Sequence, residues 1–193
     1  TDPPMEAVFA LPAKNLEPKT FVERIYPTSN VLPENQLKFY IHFSGPMRRG
    51  QAYDRIKLVD ESGHEMDSPF LELGEELWDR EATRFTLFID PGRIKRGVRP
   101  HDELGPALEA GKSYTLVINA GWLDTTGSPL KRAHRKNFKV KAADYDSPDP
   151  KKWRIELPHV GSTEPLRVLL REPLDHALLL RLLNVRGTDG ERL

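Results

Sequence analysis

Leu37-Lys38-Phe39-Tyr40-Ile41-His42-Phe43-Ser44-Gly45-Pro46 decides the fold class. Its apolar residues Leu37, Phe39, Ile41 and Phe43 recur at every second position, which turns them all to one side of an extended chain. A helix would scatter the same residues around its circumference. The run therefore predicts a half-buried β-strand, ended by Ser44-Gly45-Pro46, where proline removes a ladder donor and glycine eases the turn.

The same period returns on both sides. Strands are expected near Val22 to Tyr26, at Ile56 to Val59, Phe70 to Leu73, Arg84 to Ile89, Ser113 to Ile118 and Asn137 to Val140. Asp60-Glu61-Ser62-Gly63, Asp90-Pro91-Gly92 and Asp124-Thr125-Thr126-Gly127 supply turn chemistry between them. About seven strands over roughly 120 residues predict an all-β protein, an immunoglobulin-like antiparallel β-sandwich. Composition agrees: 38% hydrophobic against 30% charged residues suits a thin sandwich core, and 17 prolines and 13 glycines serve frequent chain reversals.

Lys+Arg and Asp+Glu both total 29, so no long-range field draws the chain to nucleic acid or an anionic membrane surface. The absence of cysteine excludes disulfides, thiol catalysis and cysteine-ligated metals. No apolar stretch approaches the roughly 18 residues of a membrane-spanning helix. The sequence starts at Thr1 without an initiator Met, as a processed or trimmed product does.

The expected organisation is an extended N-terminal lead-in over 1–19, an Ig-like sandwich over 20–142, a linker over 143–152 and a partial second Ig-like domain over 153–193. The lead-in is proline-rich and aperiodic, and the linker is rich in aspartate and proline. One constant offset carries Phe39, Ile41 and Phe43 onto Leu166, Val168 and Leu170. It also carries Pro46-Met47 onto Pro173-Leu174, Ile56 and Leu58 onto Leu183 and Val185, and Gly63 onto Gly190. No gap is needed, so 153–193 reads as the opening strands of a second, similar domain. Half a sandwich leaves apolar faces and edges open, to be met by further chain, by the first domain or by another chain. A rival reading makes Leu174 to Val185 an amphipathic helix.

In order along the chain stand Tyr26-Pro27, Phe43-Ser44-Gly45-Pro46-Met47, Leu58-Val59-Asp60-Glu61-Ser62-Gly63, Thr86-Leu87-Phe88, Leu108 to Leu116 and Leu123-Asp124-Thr125-Thr126-Gly127. This succession resembles the bacterial Ig-like domains of the S-layer SbsA type, with their F-S-x-P-M opening, L-x-x-G-x-x-Y-T-L strand and D-x-x-G turn. The resemblance covers about residues 20–142, and its opening half recurs at 153–193. It implies a non-catalytic, extracytoplasmic protein (periplasmic, cell-surface or secreted) and carries no catalytic residues to transfer. The connection from Gly74 to Gly105 is longer and more basic than the family pattern.

Candidate binding residues cluster in that connection. Arg93, Lys95, Arg96, Arg99 and His101 lie between two strands, where sandwich loops bind ligands, and arginine forks pair with carboxylate, sulfate or phosphate. The same cations equally suit pairing with Asp79, Glu81 or Glu72, Glu75 and Glu76. Trp78, beside Glu75, Glu76 and Asp79, suits either a sugar platform or a cap on the core, and Trp122 and Trp153 read as caps.

Six histidines form neither HExxH nor a close pair, so there is no zinc signature. Copper, as in periplasmic sandwich proteins with a similar Phe-Ser-x-Pro opening, would need Met5, Met47, Met66, His42 or His64, and Met47 aligns with Leu174 as a packing residue. Calcium would need Asp144, Asp146 and Asp149, which lack a helpful glutamate or loop glycine. No nucleophile elbow or phosphate-cradling loop is present.

The expectation is no enzyme, no cofactor and no metal. The chain is expected to be a spacer, adhesion or interaction module of the envelope. It would have a protein or glycan partner at the cell surface, no nucleic acid, and a possible homo-oligomer through the incomplete second domain. Two alternatives remain: a carbohydrate- or anion-binding accessory domain, and a fragment of a hydrolase whose catalytic part lies elsewhere.

Overall fold

The computed structural model describes residues 17–94, 105–170 and 174–191. In chain order stand β1 (Val22–Tyr26), β2 (Val31–Pro33), β3 (Lys38–Phe43), α1 (Ala52–Arg55), β4 (Ile56–Asp60), β5 (Arg84–Phe88), β6 (Ser113–Ile118) and β7 (His134–Lys141). Then come β8 (Arg154–Glu156), β9 (Arg167–Leu169) and the helix α2 (His176–Leu182).

Two sheets face each other, in the orders β1-β3-β5 and β2-β7-β6-β4. All pairs are antiparallel except β2 with β7. Three strands of one sheet against the β4, β6 and β7 set of the other is the immunoglobulin arrangement, so the protein is an all-β, Ig-like sandwich. Its core lies between the sheets, where Phe39, Ile41, Phe85, Leu87, Leu58, Leu116 and Ile118 are fully buried. At one end Trp122 meets Phe43, Phe85 and Trp78 with ring centroids 5.1, 5.9 and 5.7 Å away.

One expected strand needs correction. Phe70 to Leu73 is not a strand: Phe70 makes an isolated bridge with Ile89, and Trp78 another with Phe85. This irregular segment still covers the outer edge of β5, through Leu71 N–H to Phe88 O (3.0 Å) and Thr86 N–H to Leu77 O (2.8 Å), and so blunts an edge that could pair with another chain. β2 was not expected, since three residues ending in proline carry no period. Leu174 to Val185 contains the helix α2, with Asp175 as its cap, accepting from the Leu178 N–H at 3.0 Å.

β7 also begins earlier than its apolar residues suggest. Its inward positions are Lys136, Phe138 and Val140. Lys136 is buried because its ammonium donates to the Ser29 carbonyl at 2.9 Å. The segment after β7 is anchored at its start: Asn35 donates to the Asp144 carbonyl (2.7 Å) and accepts from the Asp144 N–H (3.0 Å).

Candidate functional site

The Phe43 to Met47 and Leu123 to Gly127 motifs meet at one pole of the sandwich. Asp124 is buried, and its carboxylate accepts from the Thr126 and Ser128 N–H groups (2.9 and 3.0 Å), the Thr126 hydroxyl (2.6 Å) and the Thr20 hydroxyl (2.9 Å). Burial pushes this carboxyl up, but the bonds from Thr126, Thr20 and Ser128 outweigh it and hold it below its ordinary value. Gly127 takes φ +85°, which lets the turn close on the aspartate. The turn reaches the Phe43 to Met47 motif through Thr125 N–H to Pro46 O and Arg48 N–H to Leu123 O, both 3.0 Å. A further tie closes the β5–β6 corner, where the Tyr114 hydroxyl accepts from the Glu109 N–H at 3.2 Å. These polar residues are fastened to the fold itself.

Trp78 is half-buried, packs against Phe43, Phe85 and Trp122, and donates its indole N–H to Glu76 at 2.7 Å. Glu76 also accepts from the Gly50 and Ala52 N–H groups at 2.8 and 2.7 Å. Trp78 therefore caps the core. Arg93 is 2% exposed. Its guanidinium donates to the main-chain carbonyls of Gly105 (2.9 Å), Pro106 (3.3 Å), Ser68 (3.4 Å) and Asp67. It ties the 67–68 segment to 105–106 from inside. Lys95, Arg96, Arg99 and His101 lie outside the described residues.

A second cluster, not singled out from the sequence, joins α2 to the outer face of the β1-β3-β5 sheet. Alternation along β3 turns Lys38, Tyr40 and His42 outward, opposite the core residues Phe39, Ile41 and Phe43. Register places Tyr26 beside Tyr40, and Arg24 and Arg84 beside His42. Asp175 pairs with Lys38 and accepts from the Tyr40 hydroxyl at 2.8 Å. The His176 ring stacks on Tyr26 with centroids 3.5 Å apart and planes 6° from parallel, and meets His42 edge-on at 5.6 Å.

Charges in this junction arise from its packing. Burial, then the facing His176 and Arg84, holds His42 below the usual imidazole value. Burial, then Arg84, does the same to His176. Burial raises the Asp175 carboxyl, but bonds from Lys38, the Leu178 N–H and Tyr40 outweigh it and keep it low. At neutral pH the junction holds two neutral imidazoles and one Lys–Asp pair. The sequence signal for it was two tyrosines at outward positions of neighbouring strands, Tyr26 and Tyr40.

Among the described residues, no three histidine, aspartate or glutamate side chains converge as a metal site. Asp144 pairs with Lys141 at 2.8 Å, and Asp149 lies 3.8 Å from Lys152. Met47 is buried in the core cluster. No helix among the described residues is long and apolar enough to cross a membrane.

No family model matches the chain, and no curated protein sequence does. Among solved structures it is similar to the S-layer protein rSbsC(31-844), with 14% identity, 90% of this chain and 19% of that one covered, and a TM-score of 0.41. It is also similar to native alpha-2-macroglobulin from Escherichia coli spanning domains MG0-NIE-MG1, with 14% identity, 64% and 32% covered, and a TM-score of 0.38. A cryo-EM reconstruction of the native E. coli alpha-2-macroglobulin gives 13% identity, 64% and 6% covered, and a TM-score of 0.37. The chain thus spans between 6% and 32% of the solved chains it matches, a likeness too loose to assign a family.

Proposed function

We propose that the chain is a non-catalytic, extracytoplasmic Ig-like module, acting as a spacer or adhesive unit toward a protein or glycan partner at the cell surface. The observation that carries this reading is the inward commitment, among the described residues, of three side chains that a binding or catalytic site would expose. Asp124 serves a turn, Arg93 serves main-chain carbonyls and Trp78 caps the core. The junction at Asp175 and His176 also holds α2 against the sandwich, and a spacer needs such a fixed exit for its chain.

Calorimetric titration with neutral glycans, sulfated glycans and inorganic phosphate tests it. The expected result is no saturable binding at the 93–101 connection. Saturable binding to a sulfated glycan or phosphate, abolished by Arg96→Ala with Arg99→Ala, would replace this reading with the anion-binding alternative.

A further inference from the structure

We propose that residues 153–191 are the opening part of a second sandwich built like the first, and that the free edge of β9 and its apolar side receive the strand equivalent to β5. That strand belongs to the same polypeptide.

The warrant is internal to the molecule. β8 pairs with β9 as Arg154–Leu169, Ile155–Val168 and Glu156–Arg167. β1 pairs with β3 as Arg24–His42, Ile25–Ile41 and Tyr26–Tyr40. The offset that carries Ile41 onto Val168 maps β3 on β9, and β1 maps on β8 once the connection between the two strands is shortened by three residues. Arg24-Ile25 and Arg154-Ile155 then occupy the same places in their pairs, with Ile25 opposite Ile41 and Ile155 opposite Val168. Past each inner strand stands a helix, α1 ending at Arg55 and α2 at Leu182, which the same offset superimposes.

The next turn agrees in its hydrogen bonds. Asp60 N–H reaches His64 O at 2.9 Å and Gly63 N–H reaches Asp60 O at 3.1 Å. Gly187 N–H reaches Glu191 O at 2.8 Å and Gly190 N–H reaches Gly187 O at 2.9 Å. Gly63 and Gly190 take φ +87° and +83°.

What differs is the covering. Ile25, Phe39, Ile56 and Leu58 are at most 4% exposed, while their counterparts Ile155, Leu166, Leu183 and Val185 are 60, 39, 43 and 48% exposed. In the first unit the inner strand β3 is flanked on its far side by β5, and the opposite sheet closes the core. β9 has only β8 beside it among the described residues. The occupant is therefore specified by its counterpart: an extended strand alternating apolar and polar residues, as Phe85 and Leu87 alternate with Arg84 and Thr86, bonded antiparallel to β9.

The test compares residues 1–193 with the natural polypeptide expressed to its own stop codon. Amide exchange in β8 and β9 is expected to be at least about 100-fold slower in the longer protein. Val185→Asp is expected to lower the unfolding midpoint of the longer protein and to leave that of 1–193 unchanged. Equal exchange in both, or a natural chain that stops at Leu193, would overturn the proposal. So would a concentration-dependent dimer of 1–193 that protects β9, because the occupant would then be a second copy.

Discussion

Thr20 and Asp124 are joined by a hydrogen bond of 2.9 Å between groups 104 residues apart in the chain. Lys131 N–H to Thr20 O, at 2.8 Å, lies beside it. One aspartate thereby fastens the entry of the sandwich to the turn that precedes its last strand. A buried carboxylate with four donors is a strong tie and an expensive one to break. Asp124→Ala is expected to cost about 3 kcal/mol, read from the urea midpoint at constant slope.

The same residue sets an acid limit. Its carboxyl sits below the ordinary 3.8 in the folded state, so the unfolded chain takes up the proton first as pH falls. Its contribution is fully present above that value and is lost as pH drops through the folded one. Asp124→Asn is expected to flatten stability against pH in that acid range, which denaturation at stepped pH measures.

Arg93 tests the inward reading of the basic segment. Arg93→Ala leaves the carbonyls of Asp67, Ser68, Gly105 and Pro106 without this donor and opens a gap where a buried guanidinium stood, and is expected to cost about 2 to 4 kcal/mol. Arg135→Ala, at an exposed position of β7, is expected to stay within about 0.5 kcal/mol. Arg93→Lys is expected to rescue little, since an ammonium cannot reproduce the planar fork. Chemical denaturation separates the three.

The His42–His176 contact predicts a pH dependence of the junction. Both imidazoles lie below the ordinary 6.5 when docked, so the undocked state protonates first. Above 6.5 neither state gains; below it the contact weakens progressively. Protonation adds positive charge beside Arg24 and Arg84, against Glu23, Asp79 and Asp175, the last already paired with Lys38. The ring-to-ring nuclear Overhauser effect between Tyr26 and His176 is expected to be strong above pH 6.5 and to fade as the pH falls below it. His42→Gln is expected to shift that fading to lower pH.

Tyr114 offers a single-atom test of the β5–β6 corner. Its hydroxyl accepts from the Glu109 N–H while its ring is buried in the core. Tyr114→Phe keeps the ring and removes the acceptor, with an expected loss of about 1 kcal/mol in the thermal or urea transition.

The strands were legible where burial and period coincide. Phe39, Ile41 and Phe43 gave β3, and Tyr114, Leu116 and Ile118 gave β6, because an inward face of apolar residues is what a sandwich strand needs. β7 was seen only from Asn137 onward, since Lys136 is a cation at an inward position whose bond to Ser29 is a tertiary fact. The edge segment from Phe70 to Leu73 looked like a strand in its apolar residues, but Phe70 makes only an isolated bridge.

Site residues were harder to read for the same reason. The sequence leaves Trp78 between a sugar platform and a cap on the core and shows Arg93 as a loop cation, and only the fold reveals that carbonyls of 67–68 and 105–106 receive the cation while Phe43, Phe85 and Trp122 pack against the indole. The Tyr26–His176 stack joins residues from β1 and α2, far apart in the chain, and no local pattern announces it.

A double-mutant cycle between Thr20→Val and Asp124→Asn tests most directly whether the motif residues serve the fold. The account predicts a coupling of about 1 kcal/mol or more between them in urea unfolding. Additive effects, within about 0.3 kcal/mol, would contradict it.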